Sequence, residues 1–422
     1  MARIIVSTFG SSGDLNPFLA LGLELRARGH EVRFAVQDNF RSTVEPLGFP
    51  VDLLSGNVID SLAPTARQML GKSNPVTSLS TLVQQGILPT LSANVEELRQ
   101  ACSNADLLVA SYGQLAASFV ADMTGIPWVT VALTPVTIPS AHLITQPQPF
   151  ILPGPMQRAS NRLAWMLGRV LLGHIADHPI NRLRASYGLP PRRELLWLGN
   201  ASERLVCLAC SSAFQPPPPD WPARVQVTGF CFWDTPSTWQ APPELEAYLR
   251  EGRPLVAVTA GSIGPQMRQA FVPYFHTSIA AIHKAGARAL VIGLAADDLD
   301  LPTDQEVLAL PFAPYSAILP HCAAIIQHGG IGTIAQALRF GVPALVVPWG
   351  FDQLYSANQV ARLGAGVYLP WRGFTVDRAA RALQALLYAS RAREVAQRLR
   401  DQIAQEAGVA TLCTAIEQEL LR

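Results

Sequence analysis

The chain has 422 residues, of which 49% are hydrophobic and 15% charged, and its formal net charge is +1. The length predicts two or three domains, and the near-zero charge gives no reason to expect a nucleic-acid partner. Because no apolar run is long enough to span a bilayer and the first residues lack the pattern of a signal peptide, we expect a cytoplasmic protein, with peripheral contact at the inner face of a membrane left open.

The first half alternates predicted strands with predicted helices. A strand over residues 3–9 leads into a turn rich in glycine and serine. In the helix that follows, Asn16 is the expected cap, Pro17 the first helical residue and Gly29 the stop. Further strands are expected over residues 31–36, 106–110 and 128–132. This order predicts a parallel, doubly wound sheet.

Residues 161–177 carry an amphipathic pattern. Apolar side chains recur at helical spacing, at Leu163, Met166, Leu167, Val170, Leu171 and Ile175. Arginines at 158, 162 and 169 add positive charge. The first interpretation is a helix packed on the N-terminal domain. The alternatives are a flap over an apolar ligand and a contact with a membrane surface.

Two features of the first half could suggest metal chemistry. His174 and His178 are four residues apart, which can place two ligands on one helix face, and Cys207 and Cys210 form a Cys-x-x-Cys pair. Neither pair has the further ligands or glutamate at the spacing that metal sites require. Most of the six cysteines lie in apolar runs, as buried structural cysteines do. We therefore expect no metal.

The second half repeats the order of the first, with strands expected over residues 255–260, 288–292, 323–327 and 344–347. Four consecutive prolines at 216–219 cannot continue a helix or a central strand. We place the domains at 1–232 and 233–404, with a linker over 233–243 and a C-terminal helix at about 405–422 that can pack back on the first domain. The expected fold class is α/β, with two Rossmann-like, doubly wound domains facing a cleft.

The strongest functional pattern is Gln-His-Gly-Gly-Ile-Gly-Thr at residues 327–333, between a predicted strand and a predicted helix. Glycines let the backbone approach a ligand closely, and the free N–H groups and dipole at a helix start attract anions. The pattern predicts a phosphate site, to which His328 can donate from its imidazole and Thr333 from its hydroxyl. The alternative is a tight turn around a buried histidine.

Two other strand ends of the second half carry polar side chains. Asp352 and Gln353 follow one strand, and a carboxylate beside an amide suits sugar hydroxyls, which both donate and accept hydrogen bonds. Ser262 ends the segment that begins at Thr259, where a hydroxyl and backbone amides can hold a second phosphate. The alternatives are a helix cap at Asp352 and an ordinary strand-to-helix turn at Ser262.

Asp14 follows the first strand of the first half. Its carboxylate can take the proton of an attacking hydroxyl, a role that contributes about 10²- to 10⁴-fold to a rate. The alternative is that Asp14 only shapes the turn or caps the helix. Together with the phosphate and sugar patterns, Asp14 predicts transfer of a sugar from a nucleotide diphosphate to a hydroxyl.

These motifs resemble those of the family 1 glycosyltransferases with the GT-B fold. Residues 10–32 are similar to the start of their acceptor domain and residues 328–366 to their donor signature, and the resemblance extends from end to end. Residues 216–234 and 314–326 are similar to the rhamnosyltransferases of rhamnolipid synthesis. Bacterial sterol and lipid glucosyltransferases are the next relatives.

The resemblance implies an inverting enzyme that needs no metal and no cofactor beyond its sugar donor. Residues 1–232 would bind the acceptor, and residues 233–404 would bind a dTDP- or UDP-sugar. The enzyme would move a hexose or deoxyhexose, rhamnose or glucose, to a hydroxyl of an apolar, lipid-like or natural-product acceptor.

The resemblance also implies roles for particular residues. Asp14 would be the catalytic base, with Phe312 and Tyr315 near the pyrimidine and Gln336 on the ribose. The donor-binding residues would be Ser262, Phe312, Tyr315, His328, Gly329, Gly330, Gly332, Thr333, Gln336, Asp352 and Gln353. The acceptor-binding residues would be Gly13, Tyr112, His142 and Trp349.

The chain departs from the plant members at two places. They carry histidine where this chain has Asp14, and an aspartate orients that histidine where this chain has Ser111 and Tyr112. Bacterial lipid-modifying relatives carry aspartate at the first place, so Asp14 stays the predicted base. Gln336 replaces the glutamate that binds ribose in plant members, which leaves the choice between uridine and thymidine open.

Two other functions remain as alternatives. One is a nucleotide-sugar epimerase of the same fold, which would need no acceptor. The other is a non-catalytic protein that binds a nucleotide and partners another enzyme. The Gly-Asp pattern at Asp14 and the Asp-Gln pair at Asp352 favour transfer over both.

Overall fold

The computed structural model describes residues 1–56, 75–143, 152, 154–234, 239–250, 252–262, 267–299, 306–350 and 352–422. The chain divides into two compact units. Unit 1 comprises the described residues up to Phe232 together with Glu406–Arg422, and unit 2 comprises those of Trp233–Gln405. Part of the expected linker, residues 235–238, lies outside the described residues.

The described residues form thirteen strands. They are β1 Arg3–Ser7, β2 Glu31–Gln37, β3 Val51–Leu54, β4 Leu107–Ser111, β5 Trp128–Ala132, β6 Val206–Leu208, β7 Val225–Val227, β8 Leu255–Thr259, β9 Arg288–Ile292, β10 Val307–Leu310, β11 Ala324–Gln327, β12 Ala344–Val346 and β13 Gly366–Tyr368. Eight of the thirteen strands among the described residues were predicted, and β3, β6, β7, β10 and β13 were not. Where a strand was predicted, the observed ends differ by two residues at most.

Helices connect most of these strands. They are α1 Ser12–Ala27, α2 Arg41–Val44, α3 Pro75–Thr81, α4 Leu88–Ala101, α5 Ala116–Thr124, α6 Gly154–Leu172, α7 His178–Ser186, α8 Pro243–Arg250, α9 Arg268–Lys284, α10 Tyr315–Ile318, α11 Ile331–Arg339, α12 Gln353–Leu363, α13 Val376–Tyr388, α14 Ser390–Ile403 and α15 Gly408–Leu420. Two π-helical turns, Leu82–Ile87 and Gly173–Asp177, precede α4 and α7. No helix among the described residues is both long enough and apolar enough to cross a bilayer.

Each unit is built on one parallel sheet. The strand order is β3-β2-β1-β4-β5-β6-β7 in unit 1 and β10-β9-β8-β11-β12-β13 in unit 2. The central strands β8 and β9 are buried along their whole length, as strands covered on both faces are. Two α/β units with parallel, doubly wound sheets confirm the predicted fold class. Within each sheet, the loops after the strands meet at one edge, which is where such sheets bind ligands.

Helix α1 begins one turn earlier than predicted. The carbonyl of Ser11 accepts from the amides of Asp14 at 2.9 Å and Leu15 at 3.1 Å, so Ser11 caps the helix. The prediction that Asn16 caps it was wrong, and Pro17 lies inside the helix, in its second turn. The ring of a proline is tolerated near a helix start, where few backbone bonds have formed. The helix ends before Gly29, which has a φ of +89°, as predicted.

The C-terminal helix α15 packs on α1 within unit 1. The guanidinium of Arg28 donates to the carboxylate of Glu417 at 2.8 Å and to the carbonyl of Ala410 at 3.2 Å. His30 lies 3.1 Å from the same carboxylate. The last helix of the chain is therefore part of the domain that contains the first strand.

Helix α6 packs on unit 1, as the first interpretation has it, but not through the apolar residues whose spacing suggested it. Leu163, Met166, Leu167 and Val170 are all more than half exposed. The opposite face is the one that packs, because the ring nitrogen of Trp165 donates to the carbonyl of Ser140 at 2.8 Å. The helical period was predicted correctly, but the period alone does not say which face turns inwards.

The cysteines and the paired histidines have contacts or burial within unit 1 or unit 2 that can be described without a metal. All six cysteines are buried and free, and burial raises the pKa of five of them, Cys102, Cys207, Cys231, Cys322 and Cys413, to about 12. Such thiols are inert at neutral pH. His174 lies 2.9 Å from the carbonyl of Val170, and His178 lies 2.8 Å from the guanidinium of Arg182.

Candidate active site

Three neighbouring strands of unit 2 bring the predicted donor residues to one edge. Strands β8, β11 and β12 are adjacent and parallel, so the loops after them begin side by side. These loops carry Ser262 after β8, the segment from His328 to Thr333 after β11, and the pair Asp352 and Gln353 after β12. The sequence patterns are thus gathered at one edge of one sheet.

The imidazole of His328 lies between two glycines. A Cβ atom on Gly261, whose φ is +79°, would lie 2.4 Å from Cε1 of the ring, and a Cβ atom on Gly330 would lie 2.5 Å from Nε2. Any larger residue at either place would displace the ring. Burial lowers the pKa of His328 to about 4, so the imidazole is neutral at pH 7. A neutral imidazole donates through one nitrogen and accepts through the other.

The start of helix α11 faces open space. Gly330 caps the helix, and the first helical hydrogen bond runs from the amide of Ile334 to the carbonyl of Gly330 at 3.0 Å. The amides of Ile331, Gly332 and Thr333 therefore precede the backbone hydrogen bonding of the helix. A Cβ atom on Gly332 would meet nothing within 4 Å. This arrangement of amides, dipole and free volume suits a phosphate.

Tyr315 joins two of the loops. Its hydroxyl donates to Oγ1 of Thr259 at 3.4 Å, and that oxygen also accepts from the amide of Gly261 at 3.1 Å. Burial raises the pKa of Tyr315, although hydrogen bonds with Thr259 and Thr333 oppose the rise. The hydroxyl of Tyr315 thus supports the loops after β8 and β11 from within the unit, a role that the sequence did not predict.

Two predicted nucleoside contacts have side chains suited to a ligand. Phe312, after β10, is 54% exposed. The Oε1 atom of Gln336 on α11 is buried and has no hydrogen-bond partner among the described residues. A buried acceptor without a partner carries an energetic cost that a ligand hydroxyl can remove.

The Asp352–Gln353 pair has divided roles. Oε1 of Gln353 accepts from the amides of Trp349 at 3.0 Å and Gly350 at 3.2 Å, so the carbonyl of this buried side chain fixes the loop. The Nε2 group of Gln353 is the part of its amide that can donate a hydrogen bond to a sugar hydroxyl. Asp352 stands at the N-cap of α12, but its side chain makes no capping hydrogen bond. Gly329, with a φ of +98°, lets β11's loop approach the carbonyl of Gln353.

Asp14 in unit 1 is held by its own turn. Its Oδ2 atom accepts from the amide of Ser11 at 2.7 Å and from the hydroxyl of Ser11 at 2.8 Å. A Cβ atom on Gly10, whose φ is +131°, would lie 2.4 Å from the same oxygen. Burial raises the pKa of Asp14 and outweighs the two Ser11 hydrogen bonds, which lower it. A carboxylate with a raised pKa is a stronger base once it is ionised.

The predicted acceptor residues are divided between the two units, with Gly13, Tyr112 and His142 in unit 1 and Trp349 in unit 2. Tyr112 follows β4, the strand next to β1, and its buried hydroxyl has no hydrogen-bond partner among the described residues. Gly13 is exposed on the first turn of α1, and His142 is exposed on the loop after β5. Trp349 belongs to unit 2, where its ring packs edge-on against Phe271 at 5.8 Å.

Sequence reasoning missed the residues that position the others. Gly10 and Gly261 each follow a strand and leave room for a functional side chain, and Thr259 is the hydroxyl that connects Gly261 to Tyr315. A glycine within three residues of a strand end was the available signal. That signal does not reveal which side chain occupies the space.

Comparison with known proteins decides the family. The model described as the glycosyltransferase family 28 N-terminal domain matches residues 4–142, and the model described as the erythromycin biosynthesis protein CIII-like C-terminal domain matches residues 290–417. The O-mycaminosyltylonolide 6-deoxyallosyltransferase of Streptomyces fradiae is 31% identical over 99% of this chain and 97% of its own length. The chain belongs to the family 1 glycosyltransferases. Its activity is glycosyl transfer, and the epimerase and non-catalytic alternatives are not favoured.

Two other comparisons bear on the breadth of the family. A sterol 3-beta-glucosyltransferase of Neurospora crassa is 28% identical over 99% of this chain, but this glycosyltransferase spans only 27% of that protein. The crystal structure of the glycosyltransferase VinC in complex with dTDP has a TM-score of 0.67 and 20% identity, covering each chain completely. That structural likeness supports the GT-B fold.

Proposed function

We propose that this glycosyltransferase moves a deoxyhexose or hexose from a dTDP- or UDP-sugar to a hydroxyl of an apolar acceptor, with inversion at the anomeric carbon. The observation that carries the donor half is the edge of unit 2, where the open start of α11 adjoins a neutral His328 held between two glycines. Amides and a neutral imidazole bind a diphosphate through hydrogen bonds.

The reaction proposed for these groups is a single displacement. As the acceptor oxygen attacks the anomeric carbon, its proton passes to Asp14 and the bond from that carbon to the diphosphate oxygen breaks. The leaving diphosphate gains negative charge, which the amides at the start of α11 stabilise. Asp352 and the amide nitrogen of Gln353 hold the sugar hydroxyls, and Gln336 accepts from the ribose.

A dTDP-deoxyhexose is the donor that we favour. The 31% identical relative is named for transfer of a 6-deoxyallosyl group, and VinC was crystallised with dTDP. The acceptors named among the relatives, a macrolide glycoside and sterols, are apolar molecules with hydroxyls. Those names support an apolar acceptor for this chain as well.

A donor panel tests the proposal. Thermal unfolding of the whole chain is followed with dTDP, UDP, dTDP-rhamnose and UDP-glucose, because a ligand that binds only the folded state raises its apparent stability. We expect the largest rise in Tm with the dTDP compounds, and its loss in the Thr333→Val variant. Product formation with a hydrophobic alcohol then tests transfer. A chain that no nucleotide stabilises would contradict the proposal.

A further inference from the structure

One face of α6 exposes six large apolar side chains. They form what we call the apolar stripe: Met156, Leu163, Met166, Leu167, Val170 and Leu171, each between 39% and 62% exposed. Eleven large hydrophobic residues are this exposed in the part of the chain that the structure describes, and six of them lie on this helix. Single exposed leucines are ordinary, but an aligned set marks a contact surface.

The fold fixes this face outwards. On the other side of α6, the side-chain amide of Asn161 donates to the carbonyl of Ala141 at 2.8 Å, and the ring of Trp165 packs on Trp197 with centroids 4.7 Å apart. Leu172 is buried at the end of the helix. The apolar stripe is therefore presented by a helix that is already attached to unit 1.

Positive charge accompanies the apolar stripe. Helix α6 itself contains three arginines, Arg158, Arg162 and Arg169, and no lysine, aspartate or glutamate, whereas the whole chain has a net charge of only +1. At about 100° per residue, Arg162 and Arg169 lie roughly 110–130° around the helix from the centre of the stripe, and Arg158 lies about 150° around, beside the face that packs on unit 1. Arg169 is paired with Glu194 at 2.8 Å, and Arg162 is exposed. The helix is thus apolar in the middle and basic at one side.

We propose that the apolar stripe and its arginines bind the surface of an anionic bilayer, with α6 lying in the plane of the interface. An amphipathic helix of this kind buries its apolar face about 5–10 Å deep, at the boundary of headgroups and acyl chains. The arginine stems run along apolar surface while their guanidinium groups reach the phosphates. This inference rests on α6 alone and does not depend on the proposed function.

Two features favour a bilayer over a protein partner. A symmetric contact between two copies would place the same surface against itself, and an antiparallel pairing of the two α6 helices would bring the arginines of both copies to the same side. The stripe contains leucine, methionine and valine but no tryptophan or tyrosine, which together with arginine are the residues enriched at protein–protein hot spots, whereas leucine and valine are under-represented there. A lipid surface needs neither an aromatic anchor nor a complementary shape.

Vesicle binding tests the proposal. The whole chain is sedimented with vesicles of phosphatidylcholine alone or mixed equally with phosphatidylglycerol. We expect binding to the anionic vesicles, weakened by added salt. Leu167→Glu combined with Val170→Glu lowers it at least tenfold. Arg162→Gln lowers vesicle binding about fivefold, which is the contribution of one arginine to the affinity for an anionic surface.

A matched control carries the same change of charge elsewhere. Leu53→Glu combined with Leu421→Glu replaces two exposed leucines outside α6 and leaves vesicle binding unchanged. Leu167→Gln repeats the test if the paired glutamates prevent folding, which circular dichroism checks. Equal binding by the stripe and control variants overturns the proposal. So does a dimer that the stripe variant dissociates, or a stripe variant that raises only the KM for a water-soluble acceptor.

Discussion

At the carboxyl edge of each sheet, a glycine leaves room for the side chain of a predicted site residue. The two edges differ in how far that residue lies from the glycine along the chain. In unit 1, Gly10 makes room for Asp14 within a single turn, four residues away. In unit 2, Gly261 after β8 makes room for His328 after the neighbouring strand β11, 67 positions further along the chain. Both glycines have a positive φ, so each serves the backbone and the neighbouring side chain at once. One site is a local motif, and the other exists only because two strands are adjacent.

Burial also shifts the pKa of one predicted site residue at each edge, and the two shifts have opposite directions. Burial raises the pKa of Asp14, which favours a base that holds a proton after taking it. Burial lowers the pKa of His328 to about 4, which keeps its ring neutral beside the start of α11, where we propose that a phosphate binds. Burial therefore favours the uncharged form in both units: the protonated carboxyl group of Asp14 and the neutral imidazole of His328. Each shift matches the role that we propose for the residue.

The largest expected effect separates chemistry from binding. Asp14→Asn keeps the shape of the side chain but removes the base, so we expect kcat to fall about 10²- to 10⁴-fold. The KM for the nucleotide-sugar stays within about twofold, because unit 2 is unchanged. Steady-state kinetics with a fixed acceptor measures both. Near-normal turnover by this variant would remove Asp14 from the mechanism.

The second effect tests whether Gly10 positions Asp14. Gly10→Ala places a Cβ atom against Oδ2, and a displacement of about 1 Å can cost roughly 10²-fold in rate. We expect kcat to fall about 100-fold with little change in the KM of the donor. Gly29→Ala is the control, because Gly29 also has a positive φ but a Cβ atom there meets nothing within 4 Å. A similar loss of kcat in both variants would point to backbone strain instead.

The third effect tests the neutral state of His328. Because its folded pKa of about 4 lies below the usual 6.5, the unfolded chain binds the proton more tightly between these values. Stability is therefore intact above pH 6.5 and falls as the pH drops towards 4. At about 1.36 kcal/mol per pKa unit, the loss between pH 6.5 and 5 is about 2 kcal/mol.

Urea unfolding at several pH values measures that loss. His328→Gln removes the titrating ring, so this variant should lose about 2 kcal/mol less than the wild type over the same range. His142→Gln is the matched control, since His142 is exposed on a loop of unit 1. Parallel pH profiles for wild type and His328→Gln would show that the ring is protonated without penalty.

Strands and turn motifs, which depend on neighbouring residues, could be predicted from the sequence. Contacts between residues far apart along the chain could not. The alternation of apolar runs predicted both sheets, and glycine-rich turns after strands predicted His328, Thr333 and Asp14 as site residues. Nothing in the sequence near Tyr315 indicates that its hydroxyl bonds Thr259, because the partner precedes it by 56 positions. The cap of α1 was missed for another reason: Ser11 and Asn16 are both good capping residues, and only the fold selects between them.

The smallest expected effect compares two glycines of the donor edge. Gly261→Ala displaces the ring of His328, and we expect the affinity for dTDP to fall about tenfold together with a lower Tm, since φ at this residue is +79°.

Gly332→Ala fits the helix without contact, so its Tm stays equal or rises. Its Cβ atom nevertheless occupies the space in front of the helix start, where we propose that a phosphate binds. Calorimetric titration with dTDP should therefore show weaker binding in both variants, while thermal unfolding shows a loss in Gly261→Ala alone. Unchanged affinity in Gly332→Ala would argue against a phosphate at the start of α11 and leave His328 and the loop that carries Ser262 as the groups of this edge that could hold the diphosphate.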